Sequence, residues 1–311
     1  NISTAQAYIA DITTKENRAK GMGLIGAAFG LGFILGPAIG GILSRWGIHI
    51  PFFFAAGLCF ANALLLYFTL PETVTSDHPA RQSAAGGRGF VQLFESLKQP
   101  KLAFVLMVYF LFVVAFSIMT TSFSLYTMFR FGYDAQHTGY LFAYVGLIAV
   151  VIQGGMIGRL VKRFGELPLV IFGALCFAIS LFAVPFVGPA AGGLVALLIG
   201  GGVFSMGNSM ATPALTSLAS KSVGAEQQGT VLGVTQSAAS LARAVGPSLA
   251  AILINSSVPQ MGADGDLHYM SDHSLFVTFW TGAAIMFAAF LMAVYFMRAY
   301  AGEYAEVAEA T

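Results

Sequence analysis

Charge is what this sequence lacks most. Only 9% of its 311 residues are Asp, Glu, Lys or Arg, against 57% hydrophobic, and the mean hydropathy is +0.78. A soluble domain carries about 25% charged residues. Fifteen basic and fourteen acidic side chains therefore cannot clothe a water-facing surface of this size. A net charge of +1 leaves no general basic surface for nucleic acid, and the apolar excess excludes the disordered and fibrous classes. Cysteine is scarce too. Cys59 and Cys176 both lie in apolar runs, which excludes a disulfide framework. The opening NISTAQAYIAD has no basic n-region and reads as the tail of a helix, not as a secretory leader.

What is present is long apolar sequence. Residues 21–44 hold no charge over 24 positions, and residues 167–220 hold none over 54. A membrane span needs about 20 apolar residues at about 1.5 Å each. The runs predict eight complete spans, near 21–44, 47–70, 102–126, 137–158, 167–186, 190–212, 229–254 and 274–297, with residues 1–10 as part of a ninth. Val187-Gly188-Pro189 is the only break between 167–186 and 190–212. The runs are over twice the length of a barrel strand and do not alternate, so the fold class is an all-α polytopic membrane protein.

Alternating from a cytoplasmic Lys15–Lys20 segment puts twelve Lys and Arg inside and only Arg45 and Arg130 outside, with Arg243 inside a span. Such a bias sets orientation and supports the span count. The segment 71–101 carries Ser76, Ser83, Gly86, Gly87 and Gly89 and reads as a cytoplasmic linker, with a short amphipathic helix near Phe90–Leu97. It divides the chain into 1–70, the remainder of a first bundle, and 102–297, a six-helix bundle. Residues 298–311 form a cytoplasmic tail. Two six-helix halves would put about three and a half further helices ahead of Asn1, in a protein of roughly 400 residues. Gly36-Pro37 and Gly246-Pro247 fall at equivalent places in the two halves.

The densest motif runs from Gly32 through Gly36-Pro37 to Gly40-Gly41. Small residues at spacings of four keep a helix face bare for close approach, and Pro37 removes an amide donor and bends the helix. Ala7-Tyr8-Ile9-Ala10-Asp11, then Arg18, then this Gly-Pro-x-x-Gly-Gly helix, closely resemble the major facilitator superfamily, in its drug:proton antiporter branch with the tetracycline and multidrug efflux proteins. The resemblance implies a two-bundle transporter in which the Gly-Pro helix is the fifth and carries the antiporter motif. It also implies that Asp11 and Arg18 act in gating contacts. Gly158-Arg159-Leu160-Val161-Lys162-Arg163-Phe164-Gly165 resembles the family's cytoplasmic latch loop. It departs from it at Lys162, where an Asp is expected, and at Glu166-Leu167, where basic residues are expected. For Arg159, Lys162 and Arg163 a simple positive anchor at a helix end is the alternative. The tetracycline exporters carry a membrane-embedded acid in the ninth helix, whereas residues 167–186 have none.

Among candidate substrate-facing residues, Arg243 stands out on physical grounds, because an arginine deep in a span faces a partner, a wet cavity or, by snorkelling, the outer surface. Asp134, Glu166 and Glu226 all map to span ends. Asn62, Tyr109, Thr120, Gln153, Asn208, Gln236 and Trp280 are the other cavity candidates, with Ser117, Thr121, Ser124, Phe116, Tyr126 and Tyr144 nearby in sequence. Aromatics with few fixed charges suit a bulky, lipophilic or weakly cationic solute. Alternatively, each of these side chains satisfies a neighbour inside the bundle. The five histidines are scattered and there is no phosphate-binding GxxxxGK[ST] loop. The reading is thus not an enzyme, with no cofactor and no resident metal. It is a monomeric, multi-pass protein of the cell membrane that exports small molecules by alternating access, with the proton as coupling ion and the lipid bilayer around it. A facilitator or importer of a sugar or small acid, and a non-transporting membrane protein or inactive fragment, are the alternatives.

Overall fold

The computed structural model describes residues 39–71, 100–223, 228–255 and 259–299, together with positions 5, 8, 12, 28, 32, 35 and 36. Asp11, Arg18, Pro37, Glu226, the segment 90–97 and most of the 21–44 run lie outside the described residues. Residues 39–43 are helical and run into a 3-10 turn, Ser44–Trp46. Among the described residues seven helices follow: α1 (Ile50–Thr69), α2 (Pro100–Phe131), α3 (Ala135–Phe164), α4 (Glu166–Phe186), α5 (Gly193–Lys221), α6 (Gln228–Ile254) and α7 (Asp272–Ala299). All seven are long and apolar enough to cross a membrane; the α6 stretch meeting that measure is Val231–Ile254. A two-stranded antiparallel ribbon, β1 (Gln260–Met261) with β2 (Leu267–His268), lies between α6 and α7.

The helix boundaries have local causes. Pro51 and Pro100 stand in first turns, where a missing amide costs nothing. Asp134 caps α3 by accepting the His137 amide at 2.8 Å, and that bond holds its carboxyl below the usual carboxylate range. Gly165, at φ +78°, makes the left-handed turn between α3 and α4 that a side chain would strain. The α4–α5 break falls at Val187-Gly188, as expected, but α5 begins at Gly193. There the hydroxyl of the fully buried Tyr126 lies 3.0 Å from the Val184 carbonyl and 2.6 Å from that of Val187, which satisfies the freed acceptors at the end of α4. Tyr126 is therefore a core residue and not a substrate-facing one.

Helices α2 to α7 pack into one bundle through small residues and short polar links, since lipid supplies no hydrophobic drive between helices. Gly173 of α4 and Gly207 of α5 face each other. A Cβ on Gly173 would stand 2.5 Å from the Gly207 carbonyl oxygen, and one on Gly207 would stand 2.6 Å from that of Gly173. Ser180 donates to the Gly200 carbonyl at 2.9 Å, Ser205 to that of Val145 at 2.6 Å, and the Thr127 and Thr138 hydroxyls pair at 2.9 Å. Gly246 of α6, immediately before the in-helix Pro247, seats on α2, where a Cβ would stand 2.5 Å from that of Ser117. In α3 the turn Val151–Met156 is a wide π-type turn that divides the helix in two.

Ion pairs stand at both ends of the bundle. Arg130, at the end of α2, meets Asp272, at the start of α7, at 2.9 Å. At the opposite end Lys221 of α5 meets Glu166 of α4. The basic residues Lys101, Arg159, Lys162, Arg163, Lys221 and Arg298 fall toward this second end, while Arg45 and Arg130 fall at the first.

Candidate functional site

The Gly-rich helix approaches the second bundle at its last glycine. Gly32, Gly36 and Gly40 have nothing within 4 Å of where a Cβ would stand. Gly41 is buried, and its Cβ would lie 3.2 Å from the Ala135 carbonyl oxygen, 3.2 Å from the Gly139 Cα and 3.3 Å from the Gln136 Cα. Backbone thus lies against backbone at the start of α3, so close that a side chain at position 41 would push its neighbour back by a few tenths of an ångström. One turn further on, Arg45 donates from Nε to the Gln136 Oε1 at 2.5 Å and from Nη2 to the Tyr140 hydroxyl at 2.9 Å. Gln136 Nε2 donates to the same hydroxyl at 2.8 Å, so three side chains close a ring across the contact. The phenol oxygen accepts twice, within its two lone pairs.

At the opposite end, Gly158 stands in open space, and Arg159, Lys162 and Arg163 are exposed on the last turns of α3. Arg163 lies over the ring of Phe164, 5.3 Å from its centroid. Glu166, which departs from the family pattern, has a structural occupation. Its Oε1 accepts from Ser217 at 2.9 Å and from the Lys221 ammonium, tying the start of α4 to the end of α5.

The third feature is a polar face on α2, α5 and α6, helices that all touch one another. Tyr109, Val113, Phe116 and Thr120 recur at spacings of four, three and four on α2, so they share one line, and all are half-buried. Phe116 stacks on Phe204 of α5 at 6.0 Å. Asn208 of α5 is half-buried and accepts from Thr212 at 3.2 Å. On α6, Gln236, Ser240 and Arg243 form a line at spacings of four and three; Gln236 is half-buried, while Ser240 and Arg243 are exposed. Tyr109 of α2 and Arg243 of α6 stand on two helices that pack together. The structure therefore places Tyr109, Thr120, Asn208, Gln236 and Arg243 on three mutually packed helices. Gln153 is half-buried in the wide turn of α3.

Two candidates go elsewhere. Trp280 is 41% exposed on α7 and lies parallel to Phe182 of α4 at 5.4 Å, with its indole N–H donating to the Phe182 carbonyl at 3.3 Å. It belongs to an aromatic cluster with Phe186 and Phe276, not to the polar face, and an amphipathic indole near a span end is an ordinary interfacial anchor. Asn62 is exposed on α1, which buries none of its residues. Ser117 lies under Gly246. The Arg45–Gln136–Tyr140 ring and the Glu166–Ser217–Lys221 group were not foreseen. Their partners lie 91, 95, 51 and 55 residues apart, a separation that leaves no local pattern.

A family model described as the Major Facilitator Superfamily matches residues 1–247. Multidrug resistance protein 2 of Bacillus subtilis (strain 168) is 30% identical over 253 residues, covering 81% of this chain and 62% of its own length. Tetracycline resistance protein, class B, of Escherichia coli is 31% identical over 265 residues, covering 83% and 63%. Solute carrier family 22 member 18 of Rattus norvegicus is 33% identical over 263 residues, covering 82% and 62%. The chain thus spans somewhat less than two thirds of the length of these three relatives. The crystal structure of the human organic anion transporter MFSD10 (TETRAN) superposes with a TM-score of 0.67 at 25% identity, covering 94% of this chain and 67% of that one.

Proposed function

This chain belongs to the major facilitator superfamily, and from that membership we propose that the protein is a secondary active transporter of the plasma membrane. It exports small lipophilic or drug-like compounds by alternating access, coupled to proton entry, and works as a monomer without enzymatic chemistry. Residues 1–70 belong to one bundle and 102–297 to the other, with 71–101 as the linker. The end rich in Lys and Arg faces the cytoplasm. The observation that carries the reading is the contact of Gly41 with Ala135–Gly139, locked by Arg45, Gln136 and Tyr140. Among the described residues it joins the antiporter-motif helix to the second bundle at one membrane end. A transporter that exposes its cavity alternately needs such a closable seam at each end. The Gly158–Gly165 turn and, outside the described residues, Asp11 and Arg18 serve the other end.

Proton coupling needs a carboxylate that titrates within the membrane. Among the described residues, acids stand only at helix starts and in loops, as Asp134, Glu166, Asp264, Asp266 and Asp272. The coupling acid is therefore assigned to the part of the protein outside those residues. The test uses the full-length protein in everted membrane vesicles energised to an acid interior. Adding a transported compound should discharge the proton gradient, and a protonophore should abolish uptake of the compound. Uptake unaffected by the protonophore would refute proton coupling, and no uptake of any drug or dye would refute export.

A further inference from the structure

The ribbon between α6 and α7 turns its polar side to the protein. Opposed residues of an antiparallel pair share a face, and faces alternate along each strand. The pairs are Gln260 with His268 and Met261 with Leu267. Gln260 and His268 therefore mark one face, and Met261 and Leu267 the other. The His268 side chain is only 17% exposed. Its ring meets that of Phe129 at 6.0 Å, and its Nε2 lies 2.9 Å from both carboxylate oxygens of Asp264. The second face looks away from α2. There Met261 is 69% exposed and Leu267 67%, as is Tyr269 just beyond the strand. A water-facing hairpin has the opposite arrangement, with its apolar side in and its polar side out. Apolar side out is the pattern of strands that face lipid.

The ribbon is mounted so that it cannot simply turn over. The Ala263 amide donates to the Phe129 carbonyl at 2.8 Å. A Cβ on Gly132 would stand 3.0 Å from the Ala263 carbonyl oxygen, so the tip rests on the end of α2. The Gly262 amide closes the tip on the Asp266 carbonyl at 2.9 Å. This mount also sets the height of the ribbon. Lys101 and Arg130 stand at the two ends of α2. At about 1.5 Å per residue they are about 44 Å apart, which matches about 40–45 Å for a bilayer with its headgroups. Arg130 and its partner Asp272 thus lie in a headgroup layer, at the end poor in Lys and Arg, the outer one. The ribbon is bonded to the residue before Arg130 and lies there with them. A strand of two residues spans only about 7 Å, so the ribbon does not rise clear of that layer.

We propose that the face bearing Met261, Leu267 and Tyr269 rests on the outer leaflet, where headgroups meet acyl chains, as an interfacial anchor. Tyr269 supplies the amphipathic ring that suits this level. It leads into α7, where Phe276 and Trp280 join Phe182 and Phe186 of α4 in the aromatic cluster described above, so the ribbon continues a surface already suited to lipid. The segment 255–273 has no Lys or Arg with which to grip a lipid phosphate. The contact is therefore apolar and not specific to one headgroup. Through the Ala263–Phe129 bond and the two flanking helices, it holds the outer ends of α2, α6 and α7 at one depth, whether or not the protein moves a solute.

The test is spin relaxation of nitroxides on the full-length protein in phosphatidylcholine nanodiscs. Cys59→Ser and Cys176→Ala remove the native thiols. Single labels are then placed through Met261→Cys, Leu267→Cys and, near the polar tip, Asp266→Cys. All three positions are exposed, so the labels should leave the melting temperature unchanged. Oxygen concentrates in lipid, and a nickel chelate stays in water. The ratio of oxygen to nickel collisions should be several-fold higher at 261 and 267 than at 266. Equal ratios at all three positions would place the face in water and overturn the proposal. Low collision rates with both reagents at 261 and 267 would mean that protein covers the face, either the other bundle or a second copy, and would overturn it as well. Two independent labels on the apolar face keep the result from resting on one substitution.

Discussion

Substitution of Gly246 by Ala tests the close crossing of α6 on α2. The new Cβ would stand 2.5 Å from the Ser117 Cβ, 3.0 Å from the Val114 carbonyl oxygen and 3.3 Å from the Ile118 amide nitrogen. None of these atoms is the free end of a flexible side chain, so α6 must retreat by about 1 Å to restore an ordinary separation near 3.5–4 Å. Overpacking of this kind costs about 1–3 kcal/mol. Alanine recovers up to about 1 kcal/mol through its better helix propensity. The net expectation is a loss of about 1–2 kcal/mol, read by denaturant or thermal unfolding of the full-length protein in detergent. Ser117→Gly supplies the control. Alone it costs about 0.5 kcal/mol through the propensity difference between Ser and Gly. Combined with Gly246→Ala it removes the shortest clash, so the double variant should be more stable than the sum of the singles by about 1 kcal/mol. Additivity within about 0.5 kcal/mol would mean that the two residues do not meet, and the close crossing of α6 on α2 would be refuted.

Two further outcomes can be measured. Arg45→Ala removes both bonds that Arg45 makes across the Gly41 contact. For an exposed charged group this amounts to about 0.5–1 kcal/mol, enough to shift a closed–open equilibrium about two- to fivefold. Nitroxides at Ile48 and Tyr269, 60% and 67% exposed, report it: a longer-distance population should grow in pulsed electron resonance, and an unchanged distribution would refute the latch. In the loop before α7, the His268 ring holds the Asp264 carboxyl below its ordinary value of 3.8, helped by the Asp266 amide. A depressed carboxylate contributes stability that is complete above its unfolded-state value and fades as pH falls through the folded one. Protection of the Gly262 and Ala263 amides against hydrogen exchange, corrected for intrinsic rate, should hold at neutral pH and fall below about pH 4. Protection that is flat down to pH 2 would refute the clamp.

Sequence periodicity and charge located the helices better than their ends. The runs 167–186 and 274–297 differ from α4 and α7 by no more than two residues at either end. Elsewhere the apolar run stops where lipid would, while the helix continues into water. The run 102–126 extends to Phe131 so that Arg130 can reach Asp272, and 137–158 extends to Phe164 through three basic residues. The run 190–212 continues through Pro213 to Lys221, because the proline costs one backbone bond and the turn beyond still packs. The repeated Gly-Pro pair signalled the close seat of Gly246, since bare faces exist to be approached. The partner of a bare face was not legible: nothing near Gly41 points to Gly139. Aromatic residues were the weakest guide. Trp280 and Tyr109 have the same apolar body and polar tip, and only the packing of α7 on α4, against α6 on α2, separates an interfacial anchor from the polar face.

The wide turn Val151–Met156 makes α3 two helices that are out of step. One extra residue in a turn rotates everything beyond it by roughly 100°. The stretch from Ala135 to Val150 turns Gly139 toward Gly41 and Val145 toward Ser205. A straight helix would have to carry that same stripe down to Phe164. With the phase shifted, the stripe ends at the turn, and the half bearing Arg159, Lys162 and Arg163 addresses a different set of neighbours. A single continuous rod is thus divided into two faces with separate obligations, one to the seam between bundles and one to the charged rim. Residues on either side of the turn are free to diverge under different demands, although no break in hydropathy marks where one role ends and the other begins.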